Sequence, residues 1–229
     1  MSGASASLDA LEDIVPFMRA RRHQPEPGDL LAADLLAPDR LASAVAATPD
    51  VRGSDPQVQA SLWWLGYSYR VAGGTLAAWI VAGSAPDPSI AAGCGVGVGR
   101  GRPSSLVVGP DAVEIHELDE LVERLFAGHL DRLAEVLRAR HPIGRRLVWG
   151  NAAASIASCF GAVAAAAGAR DVAPSIDARI DEVIAALPHD LAALGTWTSP
   201  HTAYRRTTCC LWWKTDTSNG VLCADCSLR

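Results

Sequence analysis

The stretch from Asp55 to about Ala82 constrains this chain more than any other. Asp55 followed by Pro56 is a good helix start. Beyond it the helix carries Trp63, Trp64, Tyr67, Arg70 and Trp79, and apolar residues cover most of its surface. A helix that is apolar all round has no solvent face, so it belongs at the centre of a fold with the other elements packed about it. Gly73-Gly74 within it marks a close helix contact or a kink.

The flanking segments supply the partners of that helix. Residues 7–22 read as a helix with Ser7 at its cap, Asp9 and Glu12 in its first turns and Arg19, Arg21 and Arg22 at its end. Pro16 bends or shortens it. A Pro-rich break at 23–28 leads to short helices at 29–36 and 39–47, and 49–55 reads as a loop. Short strands are expected within 90–117, at 93–99, 106–108 and 113–116. Residues 118–140 form the clearest amphipathic helix, with Leu118, Leu121, Val122, Leu125, Leu133 and Leu137 in its apolar stripe. Helices at 143–167 and 175–187 follow. The expected fold is helix-rich α+β. It has a body over 1–200, with N-terminal helices in 7–47 and a small sheet at about 90–117, and a cysteine-rich segment over 201–229.

A chain of 229 residues buries a sizeable core without disulfides or metals, so a metal site here need not be a structural crutch. The net charge of −5 gives no bulk attraction to nucleic acid. The start of the chain has no basic stretch followed by an apolar one, as a secretory signal would. The apolar runs at 62–65 and 71–81 fall short of the roughly 20 residues of a membrane helix. The expectation is a cytoplasmic protein without a transmembrane segment, where six cysteines read as thiols or metal ligands. Cys94 and Cys159 are isolated and read as small buried hydrophobes. The glycine run at 93–101 leads into a turn and not a helix, so it lacks the context of a dinucleotide loop. The six histidines show no metal-ligand spacing.

The strong signal is the tail. Cys209-Cys210 and Cys223-Ala224-Asp225-Cys226 are separated by twelve residues, and Asn219-Gly220 marks a turn between them. A hairpin at 216–220 would bring the two pairs together. Four thiolates suit zinc, which takes them tetrahedrally, or a [2Fe–2S] cluster, which takes two per iron. A redox dithiol would use Cys223 and Cys226 alone. Adjacent side chains in a strand point to opposite faces, so Cys209 and Cys210 both ligate only from a turn or bulge. Spacing favours a four-thiolate site and leaves iron–sulfur and zinc open.

The tail resembles the ferric-siderophore reductase family typified by FhuF, which carries a Cys-Cys pair, a linker and a terminal Cys-x-x-Cys. Arg205-Arg206 before the first pair, Leu211-Trp212-Trp213 after it and Gly220 before the second agree with that pattern. Arg146-Leu147-Val148-Trp149-Gly150-Asn151-Ala152 looks like the family's Trp-Gly-Asn segment, and Tyr67-Ser68-Tyr69-Arg70 like its Ser-x-Arg helix. The linker is longer than the family's usual one, which a longer turn absorbs. The resemblance implies a cytoplasmic one-electron reductase that reduces an Fe(III)-siderophore and releases Fe(II). Its [2Fe–2S] cluster would sit on Cys209, Cys210, Cys223 and Cys226. The helical body around 63–70 and 149–151 would form the siderophore cleft. Arg205, Arg206 and Lys214 are candidates to offset cluster charge, and Trp212 and Trp213 to shield the cluster or contact the siderophore. With no convincing nucleotide site, an external donor such as a ferredoxin or flavin reductase would supply the electrons. The alternatives are a zinc-stabilised binding protein without redox activity and a siderophore-biosynthesis enzyme, which would need a working nucleotide site.

Overall fold

The computed structural model describes residues 6–16, 18–22, 25–49, 55–169, 173–188, 191, 193–199, 201 and 203–229. Parts of the expected Pro-rich break (23 and 24) and of the expected loop (50–54) lie outside them.

The first helix, α1 (Ala6–Ile14), stops well short of residue 22. Pro16 has no N–H for the next helical bond, and its ring clashes with the turn behind it. The chain leaves in extended form as β1 (Ala20–Arg22), and the Ala20 N–H donates to the Glu12 carboxylate at 2.9 Å. β2 (Leu30–Leu31) then runs into α2 (Ala32–Leu35), and α3 (Pro38–Ala46) begins with Pro in its first turn. The N-terminal part is therefore mixed, where helices alone were expected over 7–47.

α4 (Pro56–Ser68), a π-helical turn (Tyr69–Gly73) and α5 (Gly74–Ala82) make the expected long buried helix. Asp55 caps it, its Oδ1 accepting from the N–H of Gln57 at 2.9 Å and of Val58 at 3.3 Å. Gly83, at φ 75°, ends it. Trp63, Trp64 and Tyr67 are buried along it.

Short strand β3 (Ala85–Pro86) is followed by a 3-10 turn (Ile90–Ala92), β4 (Gly95–Gly99), β5 (Arg102–Val108) and β6 (Glu114–Ile115). The main sheet has the order β1-β5-β4-β2, with β1 parallel to β5 and the other pairs antiparallel. Arg100 and Gly101 turn β4 into β5 with φ of 53° and 74°, the left-handed pair of a tight hairpin. A Cβ on Gly95 would overlap the Leu30 carbonyl, so the glycine run lets two strands approach.

α6 (Leu118–Leu125), a second π-helical turn (Phe126–Leu130) and α7 (Asp131–Arg140) occupy the expected amphipathic helix. α8 (Arg145–Gly168) and α9 (Ala173–Ala186) follow, then β7 (Gly195–Ser199) paired with β8 (Ala203–Arg206). That pair straddles the expected boundary between body and tail. α8 is the one helix among the described residues long and apolar enough to cross a membrane, a length and composition the sequence reading passed over. Its most apolar window is 78% buried inside the protein, so it serves as a second core helix. It lies against α4 and α5: the Trp64 indole N–H donates to the Val148 carbonyl at 2.9 Å, and a Cβ on Gly73 would overlap Cys159 Sγ. The Gly73-Gly74 pair thus marks a close helix contact, one of the two features foreseen for it, and the π-helical turn ends there. The molecule is a helix-rich α+β fold.

A four-cysteine tail beside an arginine-lined cavity

The tail is docked through a buried polar chain. Arg206, at the end of β8, is 2% exposed and its guanidinium donates to Asn151 Oδ1 of α8. Asn151 Nδ2 donates to the Ser61 carbonyl at 2.8 Å and to Ser61 Oγ at 2.9 Å. Ser61 Oγ in turn donates to the Cys210 carbonyl at 2.7 Å. One continuous network therefore joins α4, α8 and the backbone of the first cysteine pair. Buried polar groups must be satisfied, so this chain fixes the tail's position as well as its contact. The Trp149-Gly150-Asn151 segment now has a physical reason. Trp149 packs edge-on to Trp64, Asn151 carries the hydrogen bonds, and any Cβ on Gly150 would strike Thr208.

Past Thr208 the chain bends sharply. Leu211 holds φ at 67°, a conformation that costs a branched residue roughly 1–2 kcal/mol. The bend leads into a 3-10 turn (Trp212–Lys214). Turns through Thr215 and Ser218 then lead to Asn219 and Gly220 at φ 46° and 78°. The two limbs are joined by turns, so the expected hairpin forms without a β-ladder between them. The return brings one cysteine of each pair together: Cys210 Sγ and Cys223 Sγ are 3.6 Å apart. Cys226 N–H donates to the Cys223 carbonyl at 3.2 Å, the tight turn of the Cys-x-x-Cys.

The other two sulfurs accept backbone hydrogen bonds from two residues onward. Leu211 N–H donates to Cys209 Sγ at 3.4 Å and Leu228 N–H to Cys226 Sγ at 3.5 Å. Such bonds favour sulfur carrying negative charge. Burial pushes the Cys209 and Cys223 thiols up from the ordinary value. Cys210 and Cys226 act on both in the same direction. All are free of disulfides. No group of three or more His, Cys, Asp or Glu side chains among the described residues is placed to hold a metal ion. Cys94 and Cys159 are buried far along the sequence in the core, with the Cys94 thiol pushed up to about 12 by burial.

Against this tail opens a cavity of about 450 Å³. Cys210, Cys223, Arg206 and Trp212 form its tail side, and Trp63, Tyr69 and Arg70 line it from the central helix. Arg102 and Pro103 of β5 and Ser155 of α8 also line it. The structure thus puts Arg206 and Trp212 at the cavity. It puts the other three candidate contact residues elsewhere. Arg205 is exposed and donates to the Arg229 carbonyl. Lys214 pairs with Asp55 at 3.8 Å, and its ammonium lies 6.0 Å from the exposed Trp213 ring. Arg102 and Pro103 escaped the sequence reading because only the strand pairing brings β5 to the central helix. Tyr69 and Arg70 were foreseen within the cleft segment. No protein-family model matches the chain, and comparison with curated proteins finds no match.

Proposed function

We propose that this protein is a cytoplasmic ferric-siderophore reductase that holds a [2Fe–2S] cluster on Cys209, Cys210, Cys223 and Cys226. What carries the reading is one juxtaposition: Cys210 and Cys223, 3.6 Å apart, are also part of the wall of the large cavity. When bound, such a cluster supplies one-electron chemistry, and its potential answers to charge and to hydrogen bonds at the sulfurs. The donor set fits it. Cys210 and Cys223 bring their free thiols together, and the Leu211 and Leu228 amides donate to the sulfurs of Cys209 and Cys226.

In this account the cavity receives the Fe(III) chelate beside the thiols, so the electron path is short. Siderophore oxygens are hard anionic donors matched to Fe(III). One added electron gives Fe(II), a poorer match, and the chelate loosens. The buried Arg206 network keeps the cysteine loop in register with the cavity. Electrons come from an external ferredoxin or flavin reductase in this reading, and the six free thiols agree with a reducing compartment.

The test is protein purified without oxygen. The proposal expects a red-brown sample whose visible absorption is bleached by dithionite and returns when an Fe(III)-siderophore is added, with Fe(II) appearing in a colorimetric trap. A colourless sample with one zinc per chain would replace it with the zinc-stabilised binding protein.

A further inference from the structure

We propose that Trp63, Tyr67 and His129 form a short oxidation path that draws radicals' oxidising power out of the cavity and away from Cys210 and Cys223. Only the source of the oxidant rests on the reductase reading. In that reading the iron is Fe(II) just when the protein has spent its electron. Hydrogen peroxide then takes one electron from Fe(II), its O–O bond breaks, and hydroxide and a hydroxyl radical form. The thiols in the cavity wall are exposed to that radical, and their oxidation to sulfinic acid is essentially irreversible.

Aromatic side chains offer another electron source. Trp63 also lines the cavity. Its ring stacks on that of Tyr67, one turn further along α4, with centroids 4.9 Å apart and planes 20° from parallel. Trp63 is 1% exposed and Tyr67 0%, so the stack leads from the cavity wall into the core. Electron transfer between stacked rings needs no motion of either. Tryptophan and tyrosine are, with the sulfur side chains, those that give up an electron most readily.

The partner of Tyr67 makes it the end of the path. A tyrosine that has lost an electron is a strong acid, and a base that takes its proton traps the radical there. Tyr67 OH lies 2.6 Å from His129 Nε2. His129 Nδ1 lies 2.5 Å from the Pro88 carbonyl, which accepts only, so Nε2 holds the free lone pair. Burial holds the His129 pKa down to about 4 and pushes that of Tyr67 up, so at rest the imidazole is neutral and the proton stays on the tyrosine. Trp64 also stacks on Tyr67, at 5.9 Å, but its indole N–H donates to the Val148 carbonyl, which is no base.

The hydroxyl radical takes one electron from Trp63 and becomes hydroxide. Tyr67 refills Trp63, its O–H bond breaks and the proton passes to Nε2, leaving a neutral tyrosyl radical beside an imidazolium. The next electron from the donor returns to Tyr67, and His129 returns the proton. In sum one electron from the donor and one proton from solvent turn a hydroxyl radical into water.

Flash-generated ruthenium(III) tris-bipyridine tests the path without iron substrate or peroxide. Protein isolated without oxygen, frozen after the flash, is expected to give a tyrosyl radical in electron paramagnetic resonance that narrows with ring-deuterated tyrosine. The chain has three tyrosines, and Tyr67→Phe should remove the signal. His129→Gln keeps a hydrogen-bond acceptor but no base and should lower the yield at least about tenfold. Trp63→Phe should remove most of the signal. Heavy-nitrogen labelling of histidine should reveal coupling to the radical in the unmutated protein, which needs no variant to fold. No tyrosyl signal, a signal that survives Tyr67→Phe, no histidine coupling, or a yield that neither His129→Gln nor Trp63→Phe moves would overturn the proposal. The reductase reading is judged on a separate arm, dithionite-reduced protein given an Fe(III)-siderophore without peroxide. Absence of Fe(II) there sinks the reductase, while the flash experiment still decides the path. With peroxide added, Trp63→Phe should lose its visible spectrum several-fold faster than the unmutated protein, and equal rates would overturn the protective role.

Discussion

The residues of the tail divide by the company each sulfur keeps. Cys210 and Cys223 touch each other and the cavity, while Cys209 and Cys226 sit behind them with an amide N–H on each sulfur. Cys210→Ser or Cys223→Ser is expected to abolish or alter the visible spectrum of protein isolated without oxygen. Cys94→Ser and Cys159→Ser should leave it in place, since both thiols lie in the core outside the tail. Loss of the spectrum in the second pair would mean that the ligands are misassigned. Ser61→Ala cuts the hydroxyl that links Asn151 to the Cys210 carbonyl. Its expected cost is about 1–2 kcal/mol, measured by urea unfolding. The cysteine spacing and the Trp-Gly-Asn segment were legible in the sequence. The left-handed Leu211 was not: leucine carries no preference for positive φ, so no sequence signal marks the bend that follows the first cysteine pair.

At the scale of elements, packing of the tail depends on absent side chains. Gly150 of α8 sits directly beneath Thr208, and a methyl group there has no room. Gly150→Ala is expected to lift the tail from α8, cost about 1–3 kcal/mol and lower the occupancy of the four-cysteine site. Gly168, at the far end of the same helix, has open space around its Cα. Gly168→Ala should be neutral or gain up to about 1 kcal/mol, with metal content unchanged. Thermal melts beside metal analysis check both. Most elements were legible from periodicity and breakers: the Asp55-capped central helix, the amphipathic helix at 118–140 and the glycine-rich strand. Two kinds of feature were not, or not wholly. β1 was hidden inside a helical pattern because its extended form comes from pairing with β5, a contact far along the chain. The two π-helical turns were legible unequally: Tyr69–Gly73 ends on the glycine pair that the sequence flags, while Phe126–Leu130 reads as part of one continuous amphipathic helix.

Across the whole molecule, a buried pair joins α4, just before its π-helical turn, to the second π-helical turn. Tyr67 OH lies 2.6 Å from His129 Nε2, and His129 Nδ1 lies 2.5 Å from the Pro88 carbonyl. The carbonyl accepts only, so Nδ1 carries the proton and the tyrosine donates to Nε2. Burial holds the His129 pKa down to about 4. The unfolded chain therefore takes up a proton at this residue that the fold excludes. Stability from this group is complete above about pH 6.5 and drains away as the pH falls toward 4, by at most about 3 kcal/mol. His129→Gln should flatten the pH dependence of the unfolding midpoint across that window, whatever its effect on the midpoint itself. A slope unchanged by the substitution would place the charge elsewhere. The fold thus binds a cysteine tail to a two-helix core and leaves a cavity between them. Electron paramagnetic resonance of the dithionite-reduced protein, isolated without oxygen, tests the central claim most directly. The account predicts one spin-half signal per chain, lost in Cys223→Ser and discharged by adding an Fe(III)-siderophore. A silent spectrum from a colourless protein carrying one zinc per chain would contradict it.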